Sequence, residues 1–515
     1  MRLNLLAHCL MFGTSAVHAE PHFVPVSAPP HVYSGSWEHF VGGGLAAFDC
    51  NGDHLPDLLA AGGEGNARLL RNMSTRSGPV VFADATPDSL KLAHVIGAYP
   101  MDIDSDGVLD LAVLRVGQNS LLKGGADCSF KPFEGIGFES PEKWSTAFSA
   151  TWEAGQALPT LAFGNYVDRT DADGPFRACD TNTLYRPNGK TYRTPAALAP
   201  GYCALSMLFS DWGRQGQIDL RVSNDRHYYV DDGKEQLWTL TQPPKLYSEQ
   251  DGWQSFRLWG MGIASRDISG DGLPEVFLSS MGDQRLQSLV KGGSGPTYQD
   301  VPFEKGTTAH RPYTGGDGRP STGWHVSFGD VQNDGRDDVF ISKGNVEQMP
   351  SSAMKDPNNL LVQGNDGTFI EMGDVAGLAT HHRSRGAAMV DFNLDGLLDL
   401  AVVNRRAPLE IYQNVTESPG NWISIQLVQP APNVNAIGAW IEVDDDHRIQ
   451  ARELTVGGGH AGGTAGPEHF GLDGSEKVRL RVIWPGGTAS DWVSANVGQF
   501  LRVSRDGDGV ALSSY

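Results

Sequence analysis

One pattern recurs down this chain and leaves few folds open to it. DCNGDHLPDLL begins at Asp49, DIDSDGVLDLAV at Asp102, DISGDGLPEVFL at Asp267, DVQNDGRDDVFI at Asp330 and DFNLDGLLDL at Asp391. Each carries an acid at position 1, a polar residue at 3, acids at 5 and 9, and then an apolar run. DWGRQGQIDLRV keeps acids only at positions 1 and 9, Asp211 and Asp219, with Gly216 at position 6. The starts lie 53 to 63 residues apart, except for one interval of 109. That interval is two periods. Its midpoint holds a degenerate copy, with position 1 on Trp152, position 9 on Thr160, and LPTLAFGNY (158–166) standing for LPDLLAAGG (55–63). Self-similarity at this period signals a repeat architecture of seven units. Within a unit the order reads strand, acidic loop, strand, turn, strand. Four short strands repeated around an axis predict an all-β fold, a seven-bladed β-propeller, because radial closure removes most sheet edges. Residues 30–45, with Val32-Tyr33-Ser34 and Phe40-Val41, are expected to supply the strand that closes the ring.

The acids explain themselves as cation ligands. Calcium takes six to eight oxygens at about 2.3–2.6 Å from carboxylates, carbonyls and water. A tight loop turns alternate side chains inward at positions 1, 3 and 5, bends at a Gly at 6, and adds the carbonyl of 7 and the carboxylate of 9. The ligand sets are Asp49, Asn51, Asp53, Leu55 and Asp57; Asp102, Asp104, Asp106, Val108 and Asp110; Asp267, Ser269, Asp271, Leu273 and Glu275; Asp330, Gln332, Asp334, Arg336 and Asp338; and Asp391, Asn393, Asp395, Leu397 and Asp399. Four of the five have Gly at position 6. The first has His54 there, with Asn51 and Gly52 keeping the turn flexible, and is expected to bind more weakly. A sixth site near Asp211 and Asp219 is expected to bind weakly or not at all, and the unit at Trp152 to be empty. The six recognisable loops hold 19 of the 61 acids, so without a cation repulsion concentrates on one face. Solvated Asp-Gly turns are the plain alternative. A catalytic carboxylate pair is the other, but such pairs do not recur unit after unit.

Composition and the chain ends fix the setting. With 63 Gly, 30 Pro and 9% aromatics, the chain suits short strands and tight turns. Its net charge of −21 argues against nucleic acid and anionic membranes as partners. Residues 1–19, with Arg2, an apolar stretch to Val17 and Val17-His18-Ala19, read as a signal peptide cut after Ala19. The run is too short and interrupted by His8 and Ser15 for a membrane anchor. Cys9 follows His8 too early for a lipoprotein site. A secreted, periplasmic or cell-surface protein without a membrane span is expected. Four cysteines then remain and allow three pairings; Cys179–Cys203 closes a short loop and is preferred, leaving Cys50–Cys128.

The repeats D-x-[DN]-x-D-G-x-x-D with apolar flanks resemble FG-GAP/VCBS repeats, as in integrin α-subunit propellers. The later stretches NAIGAWIEV (435–443), QARELTVGGGH (450–460), HFGLDGSEKVRLRVIWPGG (469–487) and NVGQFLRV (496–503) are similar to the ASPIC/UnbV domain. Together the order resembles the cartilage acidic protein 1 family, as a bacterial-type member with no EGF-type cysteine module after Val503. The resemblance implies a propeller over 30–418, an ASPIC/UnbV domain over 419–506 and a tail at 507–515. It implies calcium binding and an extracellular protein or glycan partner, as in adhesion, and no agreed activity.

Other features carry less. His460 and His469 lie in GGGHAGGTAGPEHFG and read as turn residues of the second domain, with His469 held by backbone bonds. His381-His382 reads as exposed loop. Asn224-Asp225-Arg226-His227 is a candidate for a binding face or a polar turn. Asn72-Met-Ser and Asn414-Val-Thr match glycosylation sequons. Residues 165–205 read as a long loop leaving its blade and a candidate specificity element. No nucleophile elbow, P-loop, dinucleotide fingerprint or HExxH occurs, so an enzyme is not expected. The alternative is a scaffold-bearing enzyme or accessory factor of polysaccharide or secondary metabolism. Oligomeric state is left open.

Overall fold

The computed structural model describes residues 19–175, 177–225, 233–254, 256–293 and 295–515. All of the expected signal peptide but Ala19, together with Arg226 and His227, lies outside the described residues. Secondary structure is almost wholly β, with only short 3₁₀ turns besides. No helix among the described residues is long and apolar enough to cross a membrane.

The repeat appears as seven units of four antiparallel strands; Asp110–Gln118 and Glu142–Thr151 join the second and third into one eight-stranded sheet, and Thr464–Ala465 adds a fifth, parallel strand to the first. The unit at Asp391 is typical: Ser384–Val390, then the acid loop, then Asp399–Asn404 and Glu410–Asn414. First and second strands are buried over most of their length, as in DLAVVN (399–404). Units stack face to face, so these strands are covered on both sides and read as continuous apolar runs rather than alternating ones. The first strand of each unit packs beside the first strand of the next, and that of the last unit, Ser384–Val390, also packs beside Leu45–Phe48 of the first.

The fourth strand of the last unit is Phe23–Val26, paired antiparallel with Glu410–Asn414. This corrects the expectation that residues 30–45 close the ring. FVPV carries a Pro, which an outermost strand tolerates because one edge of its ladder faces no partner. Residues 32–34 make only isolated bridges, Val32 with Pro408, Tyr33 with Arg405 and Ser34 with Gly63.

The 165–205 segment is also corrected. It does not leave its unit: Asn182–Tyr185 pairs with Thr160–Asn165, and Ala196–Leu198 pairs outside it. The insertion therefore contains the two outer strands of its own unit. Both expected disulfides are present, Cys50–Cys128 between the first two units and Cys179–Cys203 between the third and fourth.

The C-terminal region is a sandwich of two four-stranded sheets. Ile423, Ile425, Val443, Phe470, Leu480 and Trp484 lie in the core between them. Residues 507–515 are no loose tail. Gly509–Ser514 pairs antiparallel with Gln499–Asp506 across the Asp-Gly-Asp-Gly turn.

The Gly-rich segment joins the two parts. Val456 bridges to Ala150, Gly457 to Leu208, Gly459 to Ile263 and Gly462 to Ala98, each in the first strand of a different unit. Thr464–Ala465 continues parallel to Ala47–Phe48. The segment thus lies among the innermost strands, where backbones nearly touch. A Cβ on Gly97 would sit 1.6 Å from the Ala461 carbonyl oxygen, and one on Gly462 would sit 2.2 Å from that of Leu45. Only Gly permits such an approach.

Candidate metal centres

Each acid loop begins from one hydrogen-bond scheme. In the Asp391 loop, Asp391 Oδ1 and Oδ2 accept from the amides of Asp395 (3.2 Å) and Gly396 (2.7 Å). Asp395 Oδ1 accepts from Leu397 N at 2.9 Å. Asp399 ties the loop to its sheet by accepting from Phe392 N (2.9 Å) and from Asn414 N (2.8 Å) at the end of the third strand. The Asp102 and Asp330 loops repeat all of this. In the Asp49 loop, Asp49 accepts from Asn51, Gly52 and His54, and Asp57 from Cys50 and Asn72. In the Asp267 loop the longer Glu275 turns back on Ile268 N and Ser269 N.

The scheme requires two left-handed residues. Position 6 is one: Gly107, Gly272, Gly335 and Gly396 have φ between 82° and 92°, and His54 takes φ 72° without being Gly. His54 therefore adopts the strained conformation itself instead of shifting the bend to Asn51-Gly52. Position 4 is the other, on Gly52, Ser105, Gly270, Asn333 and Leu394, with φ between 56° and 81°. Sequence reasoning missed position 4, because its residues share no chemistry.

The loops gather oxygen atoms and leave some unsatisfied. Carboxylate oxygens of Asp102, Asp104 and Asp110 lie within 4.8 Å of one another. Two oxygens on one calcium ion are separated by no more than about 5 Å, twice the bond length. At position 3, Asp104 Oδ1, Gln332 Oε1 and Asn393 Oδ1 are buried and accept no hydrogen bond. Buried acceptors are seldom left so, since each costs about 1–3 kcal/mol. These residues fit a hard cation. The side chains at positions 1, 3, 5 and 9 and the carbonyl at 7 would hold it, and bound calcium would supply positive charge and no reaction.

Electrostatics point the same way. Burial is the largest cause pushing the carboxyls up: Asp391, Asp110 and Glu275 to about 7, and Asp57, Asp102 and Asp267 to about 6. Asp330, Asp338 and Asp399 are driven well above the usual carboxylate range by burial and then by neighbouring acids. In three loops a basic side chain stands beside the acids. Lys123 contacts Asp104 and lies 2.7 Å from Asp106, Lys291 lies 3.0 Å from Asp271, and Arg336 lies 3.2 Å from Asp334. The Asp49 and Asp391 loops have no such partner among the described residues.

The two degenerate units are filled from within. In the third, Glu153 accepts from Thr160 Oγ1 at 2.6 Å and from Arg186 Nε at 2.7 Å. In the fourth, Trp212 Nε1 (2.7 Å) and Tyr247 OH (3.0 Å) donate to Asp219 Oδ2.

The C-terminal domain covers this face. Trp422 packs over Gly396, where a Cβ would meet its Nε1 at 1.9 Å. Asn433 N donates to Ser105 Oγ (2.8 Å), Arg452 pairs with Asp337 (3.0 Å), Arg214 pairs with Glu442 (2.6 Å), and Tyr515 lies 4.4 Å from the His54 ring. His469 meets the Asn333 side-chain amide at 2.7 Å rather than the backbone bonds expected of it. His460 is buried against Gly42 N and Met261 O, and His381-His382 is exposed as expected.

The sequon asparagines are structural. Asn72 Nδ2 donates to Phe392 O and Asn414 Nδ2 to Val331 O, both at 2.8 Å, so each reaches position 2 of the preceding unit's loop. Both side chains are buried, closed to a glycan.

Comparison with known proteins follows the same division. Residues 49–113 match the FG-GAP-like repeat family, and residues 429–509 match the ASPIC and UnbV family. Cartilage acidic protein 1 of Mus musculus is 24% identical over 235 residues, covering 44% of this chain and 34% of that protein. Its Homo sapiens counterpart is 32% identical over 166 residues, covering 30% and 22%. The matched stretches thus span about a third or less of these relatives' own lengths. Among solved structures, BBS1N in complex with ARL6DN has a TM-score of 0.44 at 10% identity, over 76% of this chain and 97% of that one. An Agrocybe aegerita lectin that recognises non-reducing terminal N-acetylglucosamine has a TM-score of 0.39 at 13% identity, over 73% and 94%.

Proposed function

From a chain that carries an FG-GAP-like repeat and an ASPIC/UnbV domain and is related in sequence to cartilage acidic protein 1, we propose an exported, calcium-dependent binding protein. Its seven units are the blades of a closed propeller. Five of them, at Asp49, Asp102, Asp267, Asp330 and Asp391, take calcium, and the units at Trp152 and Asp211 take none. The observation that carries the metal reading is the set of buried position-3 oxygens without donors, beside carboxyls whose burial disfavours their charge. Two disulfides suit an oxidising compartment.

The partner is an extracellular protein or glycan, and it meets the face opposite the acid loops, because the C-terminal domain occupies the loop face. Calcium holds that binding face in shape and does not touch the partner. The test is a glycan array and a pull-down from the native host, each run with calcium and with EDTA. The expected result is a ligand retained in calcium and lost in EDTA. A ligand held equally well in both would sever binding from the metal.

A further inference from the structure

The acid loop leaves each unit at one end of its sheet, and the second strand returns the chain to the other end. In the third, fourth, fifth and last units the residues that directly follow second strands are Tyr166, Asp225, Met281 and Arg405, while the other three units have Ala61, Asn119 and Gly344 there. At the loop end, equivalent positions repeat the same acids. Here four units carry unlike large or charged side chains. A fold that needs only a turn has no use for four unlike side chains at one register, whereas recognition does.

These four residues line a single cavity of about 430 Å³ at the centre of this face. Trp37 and Trp324 stand in its wall, and Met261 and Met349 add to an apolar lining. Trp37 is 44% exposed, yet its ring is fixed edge-on against Trp144, with centroids 5.1 Å apart. A held, half-open indole offers a flat surface at low entropic cost.

The charge of the wall is uneven. Glu347 pairs with Arg405 at 2.6 Å, Arg406 at 2.7 Å and Arg383 at 3.3 Å. Arg385 lies behind Trp324, 3.9 Å from its ring, and donates only to carbonyls, those of Phe40 and Val346 among them. Among the described residues, four guanidiniums, those of Arg405 and Arg406 in the wall and those of Arg383 and Arg385 behind it, thus gather near two carboxylates, Glu347 and Asp225, in a chain of net charge −21. On the far wall Asp225 accepts from Tyr166 OH at 2.7 Å. Arg406 is 48% exposed, and its contacts with Glu347 and the Gly35 carbonyl engage two of its five N–H groups.

We propose that this cavity binds an aryl carboxylate, a small acid on a flat apolar ring, with the acid on Arg406 and the ring on Trp37. Sign and lining select this class together. A cation meets the arginine excess. A neutral polyol leaves hydroxyls unpaired against Met261, Met281 and Met349, a costly burial. An aryl acid satisfies both walls, and a guanidinium binds carboxylate through paired, charge-assisted hydrogen bonds. The inference rests on the reading that this is the binding face.

The test is calorimetric titration of the full, calcium-loaded chain with phenylacetate, phenylacetamide and glucuronate. Phenylacetate is expected to bind at least about tenfold tighter than its amide, which has the same shape without the charge. Arg406→Gln, which removes a half-exposed side chain, is expected to abolish that preference, and Arg406→Lys to restore part of it. The acid-to-amide contrast needs only the wild-type chain, so it stands even if a variant misfolds. Equal binding of acid and amide, preference for glucuronate, or no binding of phenylacetate at millimolar concentration would each overturn the proposal. If these fail while EDTA still lowers the melting temperature, only the ligand class falls. If EDTA has no effect, the calcium reading falls.

Discussion

The loops at Asp391 and Asp211 fold alike and are neutralised differently. In both, the first Asp accepts the amides of positions 5 and 6, and in both, positions 4 and 6 are left-handed. The Asp211 loop does this with Gly213 and Gln215 at positions 3 and 5. Oxygen ligands at those positions are therefore not needed to make the turn. Where they occur, as Asn393 and Asp395, they add buried charge and an oxygen with no donor. The chain supplies donors where those ligands are missing: Trp212 and Tyr247 in the fourth unit, Arg186 in the third. The turn is a property of the fold, and on the proposed reading the extra acids are a demand for a cation from outside.

The contrast can be broken most directly by removing calcium. Five native-state ligands, each worth about 2.7 kcal/mol at a hundredfold excess over Kd, should make EDTA lower the melting temperature by more than about 10 °C. Because the C-terminal domain rests on the loops, its interface amides, such as that of Asp473 on Asn333 O, should also exchange faster in EDTA. Next comes a single site. Asp391→Ala should remove one calcium and cost about 3 kcal/mol, by the rule for breaking a buried ion pair, whereas Asp219→Asn should leave the calcium count unchanged. Calorimetry on both variants checks this. Arg186→Met strands Glu153, a part-exposed pair, and should cost about 1–2 kcal/mol equally with and without calcium in chemical denaturation. His54→Gly relieves a left-handed non-Gly residue and should gain up to about 1 kcal/mol, less whatever the Tyr515 contact contributes.

The smallest effect is in pH. Glu453, which the C-terminal domain sets against Ser210 and Asp211, is pushed up to about 7 by burial. Its folded-state value exceeds its unfolded one, so the stability it contributes is present below about 4.5 and is lost as pH rises through 7. Melting curves between pH 5 and 8 should flatten in Glu453→Gln. An unchanged slope would show that Glu453 does not titrate there.

What the sequence disclosed followed from spacing. The acid-loop turns and the repeated unit were legible because each depends on residues a fixed distance apart, and the disulfides because four cysteines leave few pairings. Phe23–Val26 was not, since a four-residue strand with a Pro carries almost no local signal. Position 4 was not, because left-handed backbone there is imposed by the loop on Ser105, Asn333 and Leu394 alike. Asn72 and Asn414 showed a motif whose meaning changed once their partners in neighbouring loops were known. The Gly-rich segment was readable as turns of the second domain but not as chain lodged among the first strands of several units. That role appears only where Gly462 meets Leu45. The cavity at the opposite face was equally hidden, for its residues come from units far apart in sequence.

Counting calcium tests the division between loops most directly. Equilibrium dialysis of the chelator-stripped chain, with bound calcium measured by mass spectrometry, should give five ions per chain, falling to four in Asp391→Ala and staying at five in Asp219→Asn. No bound calcium, or a count that Asp219→Asn lowers and Asp391→Ala does not, would contradict it.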